Sequence, residues 1–342
     1  MNKKKILCGV AGASGGHIIP GIILLQSSAQ QEDAQVLFFS TNSRFDRSIL
    51  GHYPTTFVHY SLPVIPVPGK RFWRYPLFFY RTIQSFFISL VALWRNTPQR
   101  VVSMGGFISV PVCLASRTLR IPVHLFELNA VPGKAIRWLA PFAETIFVCF
   151  PEAAAFFDSA KVRLVTYPLR FTVKDVISLA EARARLGMSA HKKVILILGG
   201  SQGSQALNAL AKKFFETTHE KDLAVIHQTG GAQGDPQKEF EAFYKQRGIE
   251  AVVFAYTHEL NIAYSAADLV ISRAGAGSLF ELVFFKKKSI LIPLEVSAEA
   301  HQLENAESMV KQHPALLYLA RQKQVEKDPL LLMSLVSNIL HQ

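Results

Sequence analysis

The chain has 342 residues, enough for two hydrophobic cores rather than one. Its residues are 49% hydrophobic and 18% charged, a balance that excludes an intrinsically disordered chain. The net charge of +12 calls for an anionic partner, yet no nucleic-acid-binding module and no long basic arm accompanies it, which leaves anionic lipid or a phosphorylated substrate.

The N-terminus imitates a secretion signal, with Lys3-Lys4-Lys5, an apolar stretch and Ala11-Gly12-Ala13. The apolar run, barely about 8 residues, is near the lower limit for one. It reads instead as the first strand of a cytoplasmic protein, ending in the glycine loop Gly12-Ala13-Ser14-Gly15-Gly16-His17. A helix opening there points unpaired N–H groups and its positive dipole end at a bound group, which favours phosphate. His17 falls at that helix start, where the dipole keeps an imidazole neutral and basic, although a histidine bonded to the loop would look the same. The dinucleotide fingerprint also needs an acid ending the second strand, about 20 residues on. Here that strand ends Phe38-Phe39-Ser40-Thr41-Asn42, without one.

Apolar runs at 5–10, 35–40, 56–60, 100–103, 121–126 and 144–149 alternate with helical segments, the βαβ signature of a parallel sheet. Between the third and fourth, Lys70-Arg71-Phe72-Trp73-Arg74-Tyr75 mixes bases with aromatics, and the chain then stays apolar to Trp94 except at Arg81, Gln84 and serines. That length suits a membrane span, but Arg81 and Gln84 in its middle argue against crossing. It is expected to be a buried crossover helix, a helix with one face on an anionic membrane, or both. Gly105-Gly106-Phe107-Ile108-Ser109 forms another glycine turn after a strand. Glu127 and Asn129 close the strand after it, at the sheet edge where open α/β sheets bind ligands. Cys8, Cys113 and Cys149 sit in apolar strand contexts and read as buried thiols. Tyr167-Pro168 marks the boundary, dividing the chain into 1–166 and 167–342.

The second half repeats the pattern, with runs at 193–198, 223–228, 251–254, 268–272 and 289–293. Its first run ends in Gly199-Gly200-Ser201-Gln202-Gly203-Ser204, and 185 positions separate Gly15 from Gly200. Ser272-Arg273-Ala274-Gly275-Ala276-Gly277-Ser278-Leu279-Phe280-Glu281 is another small-residue loop opening a helix, with Glu281 placed to accept from a ribose diol. Gln302 and Asn305 share one face of a later helix. No Asp-x-Asp exists to hold a metal-bound nucleotide diphosphate, so helix dipoles with Arg170 or Arg273 must neutralise a leaving diphosphate.

Taken in order, these motifs resemble the MurG family, from about residue 6 to about residue 310. The resemblance implies an α/β GT-B fold, two Rossmann-like doubly wound parallel-sheet domains facing a central cleft, with the acceptor side N-terminal, the donor side C-terminal and the last helix returning to the N-terminal domain. It implies an inverting, metal-independent transfer of N-acetylglucosamine from UDP-GlcNAc to the 4-hydroxyl of lipid I, giving lipid II at the cytoplasmic face of the inner membrane, with no cofactor. Ser14, Gly15 and Gly16 would approach the donor, Asn129 its sugar, and Arg170 and Ser201 its phosphates. The backbone at Thr257 would meet uracil, Ala276, Gly277, Ser278, Leu279 and Phe280 the diphosphate side, Glu281 the ribose and Gln302 the GlcNAc. His17 is the candidate base and Glu127 its competitor, with Gly105, Gly106 and Ser109 as the acceptor loop. The region from Lys70 to Trp94 would meet the membrane, and cell-wall synthesis proteins would be partners; no nucleic acid is implied.

Several residues depart from the family pattern. The first loop keeps a hydroxyl, as serine in place of threonine. The usual His-Glu-Gln-Asn becomes Phe126-Glu127-Leu128-Asn129, and an asparagine seven residues further on is Ile136. Two rivals share features with this reading. A UDP-GlcNAc 2-epimerase has the fold and donor without needing a membrane patch, and an NAD-dependent oxidoreductase would need the missing ribose acid. A non-enzymatic lipid-binding module would have no use for a donor site.

Overall fold

A computed structural model describes residues 5–12, 14–53, 57–200, 203–218, 220, 222–231, 235–295 and 301–341. The chain divides into two compact units, Met1–Arg170 and Phe171–Gln342. The expected boundary lay after 166.

The N-terminal unit runs β1 (Lys5–Val10), α1 (Gly15–Glu32), β2 (Ala34–Thr41), α2 (Arg44–His52), β3 (Val58–Leu62), α3 (Tyr75–Asn96), β4 (Arg100–Ser103), α4 (Ser109–Thr118), β5 (Val123–Glu127), α5 (Lys134–Leu139), β6 (Thr145–Val148) and β7 (Val162–Leu164). Its seven strands pair in parallel in the order β3-β2-β1-β4-β5-β6-β7. Because helices cover both faces of such a sheet, central strands read as unbroken apolar runs. Leu7, Cys8 and Val10 of β1 and Val36 to Phe39 of β2 are accordingly buried. The three cysteines are buried free thiols, and burial pushes Cys113 and Cys149 up to about 12.

The C-terminal unit runs α6 (Leu179–Arg185), β8 (Lys193–Leu198), α7 (Gln205–Thr217), β9 (Leu223–Gln228), α8 (Pro236–Gln246), β10 (Glu250–Phe254), α9 (Leu260–Ala266), β11 (Leu269–Ser272), α10 (Ala276–Phe284), β12 (Ser289–Leu291), α11 (His301–Gln312), β13 (Leu317–Leu319), α12 (Gln322–Lys327) and α13 (Pro329–Leu340). Six parallel strands lie in the order β10-β9-β8-β11-β12-β13. The face that α13 buries, Leu332, Val336 and Ile339, belongs to the core of this same unit.

The crossover helix α3 is partly buried. Ser85, Ser89, Ala92 and Leu93 face inward, and the two serine hydroxyls bond carbonyls one turn back, Arg81 and Ser85, both at 2.7 Å. Tyr80, Ile83, Phe87, Val91 and Trp94, at spacings of three or four, form an exposed stripe along most of its length. Phe72 and Trp73 extend it at the N-terminal end, 74% and 71% exposed. Among the described residues Phe72–Asn96 is the one helical segment long and apolar enough to cross a membrane.

Candidate functional site

In the N-terminal unit the strand order reverses between β1 and β4, and open α/β sheets bind ligands outside the carboxyl ends of the strands at such a switch. The loops following both strands emerge there. Gly105 and Gly106 have φ of +85° and +77°, which side chains with a Cβ rarely adopt. A Cβ on Gly106 would lie 3.6 Å from the Gly12 carbonyl oxygen, so the two glycine loops are neighbours. Ser109 is fully buried and donates its hydroxyl to the Gly105 carbonyl at 2.6 Å. It therefore shapes the turn from beneath, and its hydroxyl is not presented outward.

Ser14 is the N-cap of α1, but its hydroxyl bonds no backbone group. It lies 2.9 Å from Nδ1 of His17, three residues on. If Nδ1 carries the proton it donates to Ser14, and the basic lone pair of the neutral ring then resides on Nε2. Gly15 is buried and Gly16 exposed at the same turn. Pro20 offers no N–H to the carbonyl of Gly16.

Glu127 ends β5 and is 3% exposed. One carboxylate oxygen accepts from the Asn129 backbone N–H (2.8 Å) and side-chain amide (3.1 Å), the other from the Gly133 N–H (2.9 Å). Those bonds fold the 128–133 loop around the carboxylate and orient Asn129. The departures beside it are core residues: Phe126 stacks on Phe147 at 4.5 Å, Leu128 is buried, and Ile136 packs under Gly105, 3.0 Å from where a Cβ would stand. Apolar side chains fill positions that are polar in the family pattern, and they do so beneath the loops.

One acid was missed. Asp46 is fully buried and accepts from the backbone N–H and hydroxyl of Thr41 at the end of β2. A Cβ on Gly12 would come within 3.1 Å of its carboxylate. The signal was present as a capping pattern, for the Ser43 hydroxyl accepts from the Asp46 N–H at 3.0 Å. This acid braces the first loop and the end of β2, and its burial leaves it unsuited to a ribose.

In the C-terminal unit the switch lies between β8 and β11. Ser201 lies outside the described residues. Ser204 caps α7, accepting from the Leu207 N–H. Its hydroxyl also receives Nε and Nη2 of Arg273 at 3.0 and 2.7 Å, while Nη1 of the same guanidinium bonds the Ile292 carbonyl and Gln322 Oε1. Arg273, 6% exposed, thus ties the end of β11 to the glycine loop. Behind that loop a buried chain runs from Tyr244 through His227 and Asn208 to the Thr229 carbonyl, with contacts of 2.9, 3.1 and 3.0 Å. Burial lowers His227 to about 3, so the ring is neutral; Nε2–H donates to Asn208 and Nδ1 accepts from Tyr244.

Helix α10 opens at the same switch. Its N-cap is Gly275, with no side-chain cap and no acid in the first turn, so Ala276, Gly277 and Ser278 bring backbone N–H groups without a competing carboxylate. Leu279 is buried and Phe280 half-buried. Glu281 is 8% exposed and accepts from the hydroxyl of Tyr264 at 2.9 Å. Thr257, half-buried, accepts the Glu259 N–H just before α9. Gln302 Oε1 accepts the Leu294 N–H at 3.1 Å, which turns the amide NH₂ away as a donor. Arg170 is half-buried and ends the N-terminal unit.

Residues 8–148 match the glycosyltransferase family 28 N-terminal domain and residues 194–340 its C-terminal domain. The chain is 32% identical over 306 residues to a UDP-N-acetylglucosamine–N-acetylmuramyl-(pentapeptide) pyrophosphoryl-undecaprenol N-acetylglucosamine transferase of Protochlamydia amoebophila, covering 88% of this chain and 79% of that one. A protein of the same name from an Anaeromyxobacter species is 33% identical, with 87% and 76% covered. Among solved structures, MurG of Acinetobacter baumannii superposes with a TM-score of 0.74 at 24% identity, covering 99% of this chain and 91% of that one. A Neisseria meningitidis UDP-GlcNAc 2-epimerase bound to UDP-GlcNAc gives 0.62 at 12% identity, covering 98% and 93%. Those two likenesses establish a shared fold, whereas the sequence relatives separate transferase from epimerase. With both glycine loops at their switch points and relatives above 30% identity over most of its length, the chain belongs to the MurG family of GT-B glycosyltransferases.

Proposed function

We propose that the protein transfers GlcNAc from UDP-GlcNAc to the 4-hydroxyl of the muramoyl sugar of lipid I, with inversion and without a metal, to give lipid II. The observation that carries the reading is the likeness to relatives of that name over 88% of the chain. The C-terminal unit supports it with a donor-shaped constellation: an uncapped helix N-terminus at Ala276, Gly277 and Ser278, a buried carboxylate at Glu281 and an oriented amide at Gln302. The diphosphate meets the α10 N-terminus, where aligned N–H groups stabilise the charge that grows on departing UDP. Glu281 accepts the ribose hydroxyls, the backbone at Thr257 meets uracil, Gln302 donates to GlcNAc, and Arg170 serves the phosphates.

In the N-terminal unit His17 takes the proton of the acceptor hydroxyl. Ser14 accepts from Nδ1–H and so fixes the tautomer whose Nε2 is the base. Glu127, already accepting three N–H donors, holds Asn129 toward the sugar, while Gly15, Gly16 and the 105–109 loop border the reacting groups. The exposed stripe of α3 rests on the membrane that carries lipid I, on the cytoplasmic face, with Lys70, Arg71, Arg74 and Arg95 exposed toward anionic headgroups. A stripe on one side for most of the helix length describes a helix lying in the interface plane, not one crossing it.

The test is release of UDP by the purified protein from UDP-GlcNAc with a lipid I analogue. Acceptor-dependent release is expected, and His17→Ala should lower kcat by about 10²–10⁴-fold while the donor KM stays within about threefold. Release that ignores the acceptor, or conversion of UDP-GlcNAc to its 2-epimer, would overturn the transferase reading. A His17→Ala enzyme with wild-type kcat would remove the base.

A further inference from the structure

Glu281 is a buried carboxylate, and something must fix its rotamer before a ribose arrives. Tyr264, on α9, is 0% exposed, and its hydroxyl donates to Glu281 Oε2 at 2.9 Å. Its ring is clamped by aromatic neighbours: Phe285 stacks on it at 5.0 Å with 24° between planes, and Phe171 meets it edge-on at 6.3 Å. Phe285 directly follows α10, the helix that carries Glu281. The phenol is therefore held in orientation from the same helix whose carboxylate it grips. A buried phenol or carboxylate without a partner is costly, so each group enforces the other.

We infer that Tyr264 is a positioning residue for donor recognition: its hydroxyl holds the Glu281 carboxylate in the rotamer that accepts the ribose diol. This rests on the ribose role proposed above for Glu281. A carboxylate has about four lone-pair sites, so the Tyr264 hydroxyl does not by itself exhaust them. The segment 257–259 leads straight into α9, so the backbone proposed to meet uracil and the hydroxyl that sets Glu281 lie seven residues apart in one stretch of chain.

The test measures kcat/KM for UDP-GlcNAc and for its 2′-deoxy and 3′-deoxyuridine analogues, using wild type, Tyr264→Phe, Glu281→Ala, the double variant and Phe285→Leu. Wild type should prefer the ribose donor by at least about tenfold, and Glu281→Ala should abolish the preference. Tyr264→Phe keeps the ring and loses the hydroxyl. It should raise the donor KM about tenfold, leave kcat within about threefold, and cut the ribose preference to a third or less. In the Glu281→Ala background the same change should add nothing. Phe285→Leu disturbs the packing without touching the hydroxyl; it should lower the melting temperature and keep the preference. A wild type indifferent to the ribose hydroxyls overturns the Glu281 reading and this inference with it. A discriminating wild type with an equally discriminating Tyr264→Phe overturns the positioning role alone. Equal loss of preference in Phe285→Leu and Tyr264→Phe would assign the effect to packing and overturn the role of the hydroxyl.

Discussion

Substituting Gly203 by alanine tests how the donor loop is built. Gly203 has a φ of +77°, and its N–H closes a turn on the Gly200 carbonyl at 3.0 Å. Left-handed backbone costs a residue with a Cβ about 1–2 kcal/mol more than glycine. The added methyl would also stand 2.6 Å from the Thr229 carbonyl oxygen and 2.7 Å from Gly230 Cα, both backbone atoms that cannot swing away. Ordinary contact begins at 3.4 Å, so the loop must retreat from the end of β9 by about 0.8 Å (3.4 minus 2.6). Overpacking of that kind adds about 1–3 kcal/mol. The sum of about 2–5 kcal/mol corresponds to a fall of roughly 5–15 °C in melting temperature for a unit of this size. A displacement approaching 1 Å at this loop should also weaken binding of UDP-GlcNAc. Calorimetry of the free protein and titration with UDP-GlcNAc read the two effects separately. Gly231→Ala is the control, because none of the described residues lies within 4 Å of its missing Cβ, and it should stay within about 0.5 kcal/mol of wild type. A Gly203→Ala protein that melts and binds donor like wild type would refute the reasoning.

Three further outcomes are expected. Replacing Ile83 and Phe87 by glutamate should weaken binding to phosphatidylglycerol vesicles by at least about tenfold in a co-sedimentation assay, since each buried aromatic or aliphatic side chain contributes about 1.5–3 kcal/mol; both face outward, so the melting temperature should hold, and unchanged vesicle binding would remove α3 as the docking surface. His227 is lowered by burial to about 3 from an ordinary value of 6.5, so the unfolded chain binds the extra proton first. Its contribution to stability is therefore complete above about pH 6.5 and lost as pH falls toward 3; melting temperatures of wild type and His227→Phe across that window should converge at low pH, and parallel curves would argue against a neutral buried ring. Ile136→Asn should cost about 2–4 kcal/mol in chemical denaturation, because the amide would enter the apolar space under Gly105; an unchanged midpoint would mean that the site accommodates a polar group.

The strand pattern was legible because parallel strands covered on both faces become apolar runs, and 100–103, 193–198 and 223–228 coincide with β4, β8 and β9. The three-residue strands β7 and β13 were not. They lie at sheet edges, where half the pairing is absent and so few residues carry no period. Expecting a strand at 289–293 overshot β12, which ends at Leu291, although the Ile292 N–H still bonds the Ser272 carbonyl of β11 at 2.8 Å. At the candidate site, the glycine loops and the helix start that carries Glu281 could be read from local pattern alone. The burial of Ser109, the three donors around Glu127 and the grip of Tyr264 on Glu281 could not, since each depends on residues brought together by tertiary packing. Asp46, five residues past Thr41, was instead within reach of the local capping pattern at Ser43.

Beside Leu93 the inner side of α3 buries only serine and alanine, with Phe86, Ile88 and Leu90 partly buried against the core, while Tyr80, Phe87 and Trp94 face outward. Part of the hydrophobic free energy available to this helix is consequently withheld from folding. It is released only on association, so the residues that lower solubility in isolation would lengthen residence on a bilayer. An enzyme kept on a surface searches for a lipid-linked acceptor in two dimensions, and its turnover then depends on acceptor density per unit area of membrane more than on concentration in solution.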